Sequence, residues 1–500
     1  MCLESPTRDF ARRRPPATFS FAVKRFAPLL VVFVTATSAL LAPAGVQADS
    51  LPEPVQRVLD KAGVPHDSIS AFVQDVTQNI PLVEFKADTS RNPASVMKLF
   101  GTAVALHELG PGYKWQTHAY ADGRLKGDRL EGNLVLKGYG DPLLVTEYFW
   151  RFLRHLRDRG LRHITGDLVI DESFFSIIPE DRGAFDGRPH HAYNVLPAAL
   201  LVNFHAYEFK LRPDKGRKRI VISADPPSTT IEIQNRLKFT NGRCRGKKFR
   251  IRAQVLEGLP DSAVRFSGNY PSTCGSYAVL RTVSTQAPYI YGVFSALWKE
   301  LGGRIDGGVK FGTVPESSRK LFAFSSPTLA DVIRPMNKFS NNVMSRNLLL
   351  TLGAERLGEP GTVAKGRKAV RDWLQKAGID TQSLVIDNGA GLSRAARTSA
   401  RLMGEMLLHV YHGPYMPEFV ASLPLAAIDG TMKKRFRDKP LSGRMHIKTG
   451  LIDHVRAMGG YMLNRNGRTF VVVLLQNYKN IHWGMGTRAQ DALLEWVFDR

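Results

Sequence analysis

Ser95 and Lys98, in the run Ser95-Val96-Met97-Lys98, are the first residues whose types and spacing could do covalent chemistry. Side chains three apart on a helix share one face. A serine hydroxyl is a weak nucleophile at neutral pH and needs a base within hydrogen-bond reach. A lysine can be that base if burial and neighbouring cations lower its pKa. The run Asn92-Pro93-Ala94-Ser95 is a helix-start signal. Backbone N–H groups near Ser95 would then lie close to any oxyanion formed there. An N-capping serine followed by a surface lysine has the same spelling, so the pair alone decides nothing.

Two further runs carry the same ambiguity. Ser340-Asn341-Asn342 follows Lys338-Phe339 and falls between two helical stretches. A hydroxyl and an amide two apart in a loop, Ser340 and Asn342, can both face a cleft, yet the run also reads as an N-cap. Lys448-Thr449-Gly450 ends an alternating stretch that starts at Arg444. A lysine and a hydroxyl on an edge strand suit a substrate carboxylate, and Gly450 would let a ligand lie against the strand backbone.

The elements that must hold these residues follow from periodicity. Residues 51–62 read as an amphipathic helix, and 68–76 and 81–86 as two strands of a hairpin. Val96, Leu99, Phe100, Ala103, Val104 and His107 continue at helical spacing up to Gly110. Residues 115–312 read as a β-rich block of short alternating runs bounded by Gly, Asp and Pro. Helical texture returns at 328–336, 343–357, 362–377 and 399–412. Sheet follows at 444–449, 454–463 and 468–476, then a closing helix at 486–498. Both ends of the chain offer strands and a helix. The simplest topology is one α/β domain over 49–114 and 313–500, with 115–312 inserted as one or two mainly β domains.

The chain has 500 residues and a formal net charge of +24. That length implies two or three domains. Residues 1–48 read as an export signal: Arg12, Arg13, Arg14, Lys24 and Arg25 flank an apolar stretch from Ala27 to Ala42, and Val46-Gln47-Ala48 suits cleavage before Asp49. A retained membrane anchor is the alternative, although the stretch is short for a span. The protein is therefore expected outside the cytoplasm, in the periplasm. Basic residues cluster at 210–219 and 236–252 and suit anionic lipid or cell-wall polymer, or are simply solvated faces. Nucleic acid is a poor partner, since no recognition motif occurs. Beyond Cys2, Cys244 and Cys274 are the only cysteines, an even pair that favours a disulfide in an oxidising compartment over two separate thiols.

Other signals fail. His107-Glu108 opens a zinc-protease pattern, but Pro111 stands where the second His belongs. Gly138-Tyr139-Gly140 opens a dinucleotide pattern, but Leu143 replaces its third Gly. His190-His191 reads as a loop pair. No metal and no cofactor is called for.

Taken together, Ser-x-x-Lys, Ser-x-Asn and Lys-Thr-Gly in this order make the signature of penicillin-binding proteins and class A β-lactamases. The chain resembles, more closely, the class C low-molecular-mass penicillin-binding proteins, the D-alanyl-D-alanine carboxypeptidase/endopeptidase family (peptidase family S13). The resemblance rests on NPASVMKLF at 92–100, GNLVLKGYGDP at 132–142, GDLVIDESF at 166–174, KFSNN at 338–342, DNGAGLSR at 387–394, SLPLAAIDGTM at 422–432 and HIKTGL at 446–451. The family's large insert between the first two motifs corresponds to the stretch between Lys98 and Ser340.

The resemblance implies a β-lactamase-like transpeptidase domain of α/β (α+β) class, with an antiparallel sheet and a helical subdomain, plus the mainly β insert. It implies a serine DD-peptidase that cleaves peptidoglycan peptides and is acylated by β-lactam antibiotics. Ser95 would be the acylated nucleophile and Lys98 its base. Ser340 would relay a proton to the leaving amine, and Asn342 would orient Lys98 and the substrate amide. Lys448 and Thr449, beside Gly450, would bind the terminal carboxylate, and the backbone N–H groups of Ser95 and Leu451 would form the oxyanion hole. The run 387–394 would brace the site as a structural turn. A β-lactamase and a non-catalytic wall-binding protein are the competing readings. Intact Ser95, Lys98 and Lys448 argue against the latter.

Overall fold

The structure, a computed structural model, describes residues 50–244, 251–256 and 262–500. The expected export signal over 1–48 lies outside them. Thr469–Asn477 is rich in β-branched and aliphatic residues and almost wholly buried, so it forms the central strand of a sheet covered on both faces. It pairs antiparallel with Val455–Leu463 on one side and with Ile69–Asp75 on the other. Met445–Ile452 and Val83–Phe85 complete the five strands as its two edges. The sheet thus joins residues from both ends of the chain.

Strand alternation sorts its side chains into two layers. Ala71, Val73, Ile447, Met458 and Leu474 pack with Val55 and Leu59 of the Glu53–Lys61 helix and with Leu493 and Val497 of the Met485–Phe498 helix. Phe72, Ala457, Val471 and Val473 face the other way. They meet the helices Lys98–Leu109, Leu329–Lys338, Asn342–Leu357, Val363–Lys376 and Ala400–Tyr411. Lys98–Leu109 is almost completely buried at the centre of this layer.

The stretch between the first two motifs has its own core. A seven-stranded sheet, with Gln116–Lys126 and Arg129–Gly138 as its central hairpin, and two three-stranded sheets pack around Phe149, Phe152, Tyr207, Phe266, Phe294 and Trp298. Two observations depart from the sequence reading. Arg319–Ser325 pairs antiparallel with Gln116–Lys126, so this sheet extends past the expected limit at 312, and Phe322 and Phe324 belong to its core. The β-rich stretch also contains two full helices, Thr146–Asp158 and Gln286–Glu300. Cys244 and Cys274 form a disulfide there.

Candidate active site

Three segments from distant parts of the sequence converge on Ser95. The first is its own turn. Asn92 is tied to the end of the central strand, its N–H donating to Asn477 Oδ1 at 2.7 Å while Asn477 Nδ2 donates to the Asn92 carbonyl at 3.0 Å. Asn92 Oδ1 then accepts from the Ala94 N–H at 2.8 Å, holding Ala94 at a left-handed φ of 46°. Ser95 follows on a 3₁₀ turn, Ala94–Met97, that leads directly into the Lys98–Leu109 helix.

The second segment is the edge strand Met445–Ile452. The Ile447 N–H donates to the Pro424 carbonyl, away from the neighbouring strand. A strand repeats every two residues, so the N–H groups of Thr449 and Leu451 also point off this edge. On the perpendicular axis, Lys448 and Gly450 face the Ser95 turn. A Cβ on Gly450 would lie 2.5 Å from the Pro93 carbonyl and 3.2 Å from Ala94 Cβ. Only glycine permits so close an approach of strand to turn.

The third is the loop through Gly391, at φ 73°, where a Cβ would meet the Ala94 carbonyl at 1.8 Å. The Asp387–Arg394 run, expected only to brace the site, also supplies a direct contact through its backbone.

At the centre, Lys98 Nζ is 3.0 Å from Ser95 Oγ, 2.7 Å from Asn342 Oδ1 and 2.5 Å from the Ala390 carbonyl. The lysine is fully buried and has no carboxylate partner among the described residues. Its pKa is driven well below the usual lysine value, first by burial and then by repulsion from Lys448. Asn342 Oδ1 and the Ala390 carbonyl only accept: in the neutral amine they take both protons and leave the lone pair for the Ser95 O–H, whereas the charged form donates to all three. Asn342 is fixed in this orientation because its Nδ2 donates to the Tyr193 carbonyl at 3.0 Å.

The N-cap ambiguity at Ser340-Asn341-Asn342 resolves within the run itself. Asn341 caps the Asn342–Leu357 helix by accepting from the Met344 N–H. Its two neighbours are thereby free for the cleft. Ser340 sits at φ 58°, and its Oγ accepts from Lys448 Nζ at 2.8 Å. Lys448 Nζ also donates to the Thr449 carbonyl at 2.8 Å. Lys448 is fully buried, which lowers its pKa to about 7. Thr449 Oγ1 lies 2.8 Å from Thr431 Oγ1. Leu451 is half exposed at the mouth.

The sequence-derived residues Ser95, Lys98, Ser340, Asn342, Lys448, Thr449 and Gly450 thus belong to one connected arrangement. Reading by residue type misses Ala390 and Tyr193, which contribute backbone carbonyls, and Thr431, which sits in a quoted run but has no assigned role. His190 and His191 lie in a loop, with His190 Nδ1 3.3 Å from the Thr282 carbonyl. No cluster of three or more metal-ligating side chains occurs among the described residues.

Comparison with known proteins gives consistent matches. Residues 51–497 match the D-Ala-D-Ala carboxypeptidase 3 (S13) family. The chain is similar to a D-alanyl-D-alanine carboxypeptidase of an Actinomadura species, at 27% identity over 459 residues, 88% of this chain and 84% of that protein. It shares the fold of penicillin binding protein 4 (dacB) from Haemophilus influenzae, with a TM-score of 0.73 at 22% identity, covering 89% of this chain and 99% of that one. A structure of that protein complexed with a β-lactam matches with a TM-score of 0.69 at 20% identity, over the same shares of the two chains.

Proposed function

The chain belongs to the D-Ala-D-Ala carboxypeptidase 3 (S13) family and is a serine DD-peptidase, and from that premise we propose how its residues divide the reaction. Ser95 Oγ attacks the carbonyl carbon of the penultimate D-alanine while its proton passes to the neutral Lys98 amine. We assign the resulting oxyanion to the N–H groups of Ser95 and Leu451. The C–N bond then breaks. The leaving amine takes the proton that Lys98 received, passed on through the Ser340 hydroxyl, so Lys98 returns to its neutral form while Lys448, which donates to Ser340 Oγ, keeps its charge. Water hydrolyses the Ser95 ester and regenerates the enzyme. Lys448 and Thr449 hold the carboxylate of the leaving residue. Carboxypeptidase and endopeptidase cleavage share this acyl-enzyme and differ only in the amine that departs.

The observation that carries the reading is the three-way contact of the buried Lys98 amine with Ser95, Asn342 and Ala390. A β-lactamase would need rapid deacylation. Among the described residues no Asp or Glu side chain hydrogen-bonds Ser95, Lys98, Ser340 or Asn342. The test is labelling with fluorescent penicillin. The native protein takes up one equivalent and releases it slowly, whereas folded Ser95→Ala takes up none. Labelling of the alanine variant would overturn the nucleophile assignment.

The division into a catalytic part, 49–114 and 313–500, and an insert, 115–312, belongs to the same proposal, with the insert's sheet running on to Ser325. Peptidoglycan lies outside the cytoplasmic membrane, so the enzyme acts there. We assign its delivery to the periplasm to residues 1–48. No helix among the described residues is long and apolar enough to cross a membrane. Contact with an anionic lipid or wall surface is assigned to the Ile231–Thr240, Ile251–Leu256 and Ser262–Pro271 sheet. Its register lines up Arg252, Ser267 and Arg236 across the solvent face, with Arg265 one row away. Salt-sensitive sedimentation with anionic vesicles tests that assignment.

A further inference from the structure

Thr431 stands on a 3₁₀ turn, Gly430–Met432, with no part in the three motifs. Its placement is nevertheless tightly determined. Asp429 accepts from Lys338 Nζ at 2.6 Å and from the Leu425 N–H at 2.8 Å. Gly430 adopts φ 55°, and a Cβ there would lie 2.5 Å from the Lys338 carbonyl. The turn is therefore docked on the segment that carries Ser340, two residues beyond Lys338. Leu425 also bridges to His446 on the edge strand. The outcome is a hydroxyl 2.8 Å from Thr449 Oγ1, on the side of the cleft where Lys448 lies.

We propose that Thr431 is a positioning residue for the substrate's terminal carboxylate, acting through Thr449. The inference rests on the reading that Lys448 and Thr449 hold that carboxylate. A hydroxyl carries one proton and two lone pairs, and a carboxylate only accepts. The single proton of Thr449 must therefore go to the carboxylate, which leaves Thr449 Oγ1 free to accept. In the free cleft the Thr449 hydroxyl donates to Thr431 Oγ1 at 2.8 Å; once a carboxylate takes the Thr449 proton, both hydroxyls turn and Thr431 Oγ1 becomes the donor. Its O–H fixes the Thr449 rotor and polarises it, so that the pair acts as one directed donor beside Lys448. Without Thr431 the Thr449 hydroxyl is free to turn to water.

The experiment compares native protein, Thr431→Val and Thr431→Ser with two acylating probes, benzylpenicillin and its methyl ester, the latter at millimolar concentration. Both probes acylate Ser95, and only the first offers a carboxylate. For Thr431→Val, acylation by benzylpenicillin slows by up to about tenfold, as expected for losing one hydrogen bond between neutral hydroxyls, and acylation by the ester is unchanged. Thr431→Ser restores the native rate. For a D-alanyl-D-alanine peptide the valine variant raises KM with kcat retained. Equal slowing with both probes would mean a merely structural role, and no slowing with benzylpenicillin would mean no role; either overturns the inference. Failure of the native protein to acylate with benzylpenicillin would instead strike the underlying reading of Ser95, so the two failures are distinguishable.

Discussion

The cleft and the strand-rich stretch from 116 to 325 use the same residue type in opposite ways. Lys98 and Lys448 are fully buried with no carboxylate partner among the described residues, and burial pushes both pKa values down. Lys210, on the surface of the strand-rich stretch, lies 2.8 Å from Asp225 and 3.3 Å from Glu208, and those partners raise its pKa. A surface lysine with acidic partners is a solubilising charge, and its contacts contribute little. A buried lysine without them is an amine able to take a proton. Environment separates a catalytic group from a surface group here, and residue identity does not.

Removing the amine in each place breaks or sharpens that contrast. Lys98→Met is expected to slow acylation by roughly 10²–10⁴-fold while the protein keeps its thermal stability. Lys210→Met is expected to leave acylation unchanged. Stopped-flow acylation with a chromogenic β-lactam and a melting curve read both, and equal effects on rate would erase the distinction.

The next effect is on stability. Cys244 and Cys274 are 30 residues apart and bonded. On the chain-entropy model, Cys244→Ser with Cys274→Ser costs about 3–4 kcal/mol. The cost should appear in denaturant unfolding monitored in the strand-rich stretch, with the acylation rate intact. A loss of acylation at native-like stability would mean that the two regions are not separable in this way.

The third effect is a pH dependence. Lys448 has a pKa of about 7 in the free cleft. Below that value it is charged and attracts a carboxylate. Above it the neutral form dominates and the attraction is lost. KM for a D-alanyl-D-alanine peptide should therefore rise with pH above about 7, by up to about tenfold per unit. Lys448→Arg keeps its charge throughout this range and should flatten the rise. Lys98 sets the opposite limb, because its protonation removes the base and lowers kcat at low pH. A KM that is constant from pH 6 to 9 would remove Lys448 from carboxylate binding.

The smallest effect belongs to the basic sheet face. Arg236→Glu with Arg252→Glu should leave peptide hydrolysis in solution unchanged and weaken sedimentation with anionic vesicles at low salt.

Much of the cleft was legible because its side chains are the chemistry: Ser95, Lys98, Ser340, Asn342 and Lys448 each have a type that the reaction demands. Ala390 and Tyr193 act through carbonyls that every residue possesses, so no residue type marks them. Thr431 is one hydroxyl among many until the fold brings it to Thr449. The sheet was read from period-two runs, and its strands fall within a few residues of their expected limits. The helix Thr146–Asp158 does carry a signal, with Phe149, Phe152, Leu153 and Leu156 at three- and four-residue spacing. Its neighbours on both sides alternate like strands, and that texture obscures one short helical stretch. The pairing of Arg319–Ser325 with Gln116–Lys126 is long-range, and periodicity within a strand says nothing about its partner.

The five-stranded sheet joins residues from both ends of the chain, and this has a consequence for the order of events in synthesis. Asn92, which anchors the Ser95 turn, is bonded to Asn477, 385 residues later. A chain emerging from its N-terminus presents the nucleophile long before the strands that place it exist. Closing so long a loop is entropically costly, although the cost grows only as the logarithm of length. Until residues 445–477 arrive, Ile69–Asp75 lacks its central partner, Lys98 has no second lysine beside it, and no free strand edge faces Ser95. A nascent chain that stops short of residue 445 therefore lacks Lys448, Thr449 and the strand edge that complete the cleft.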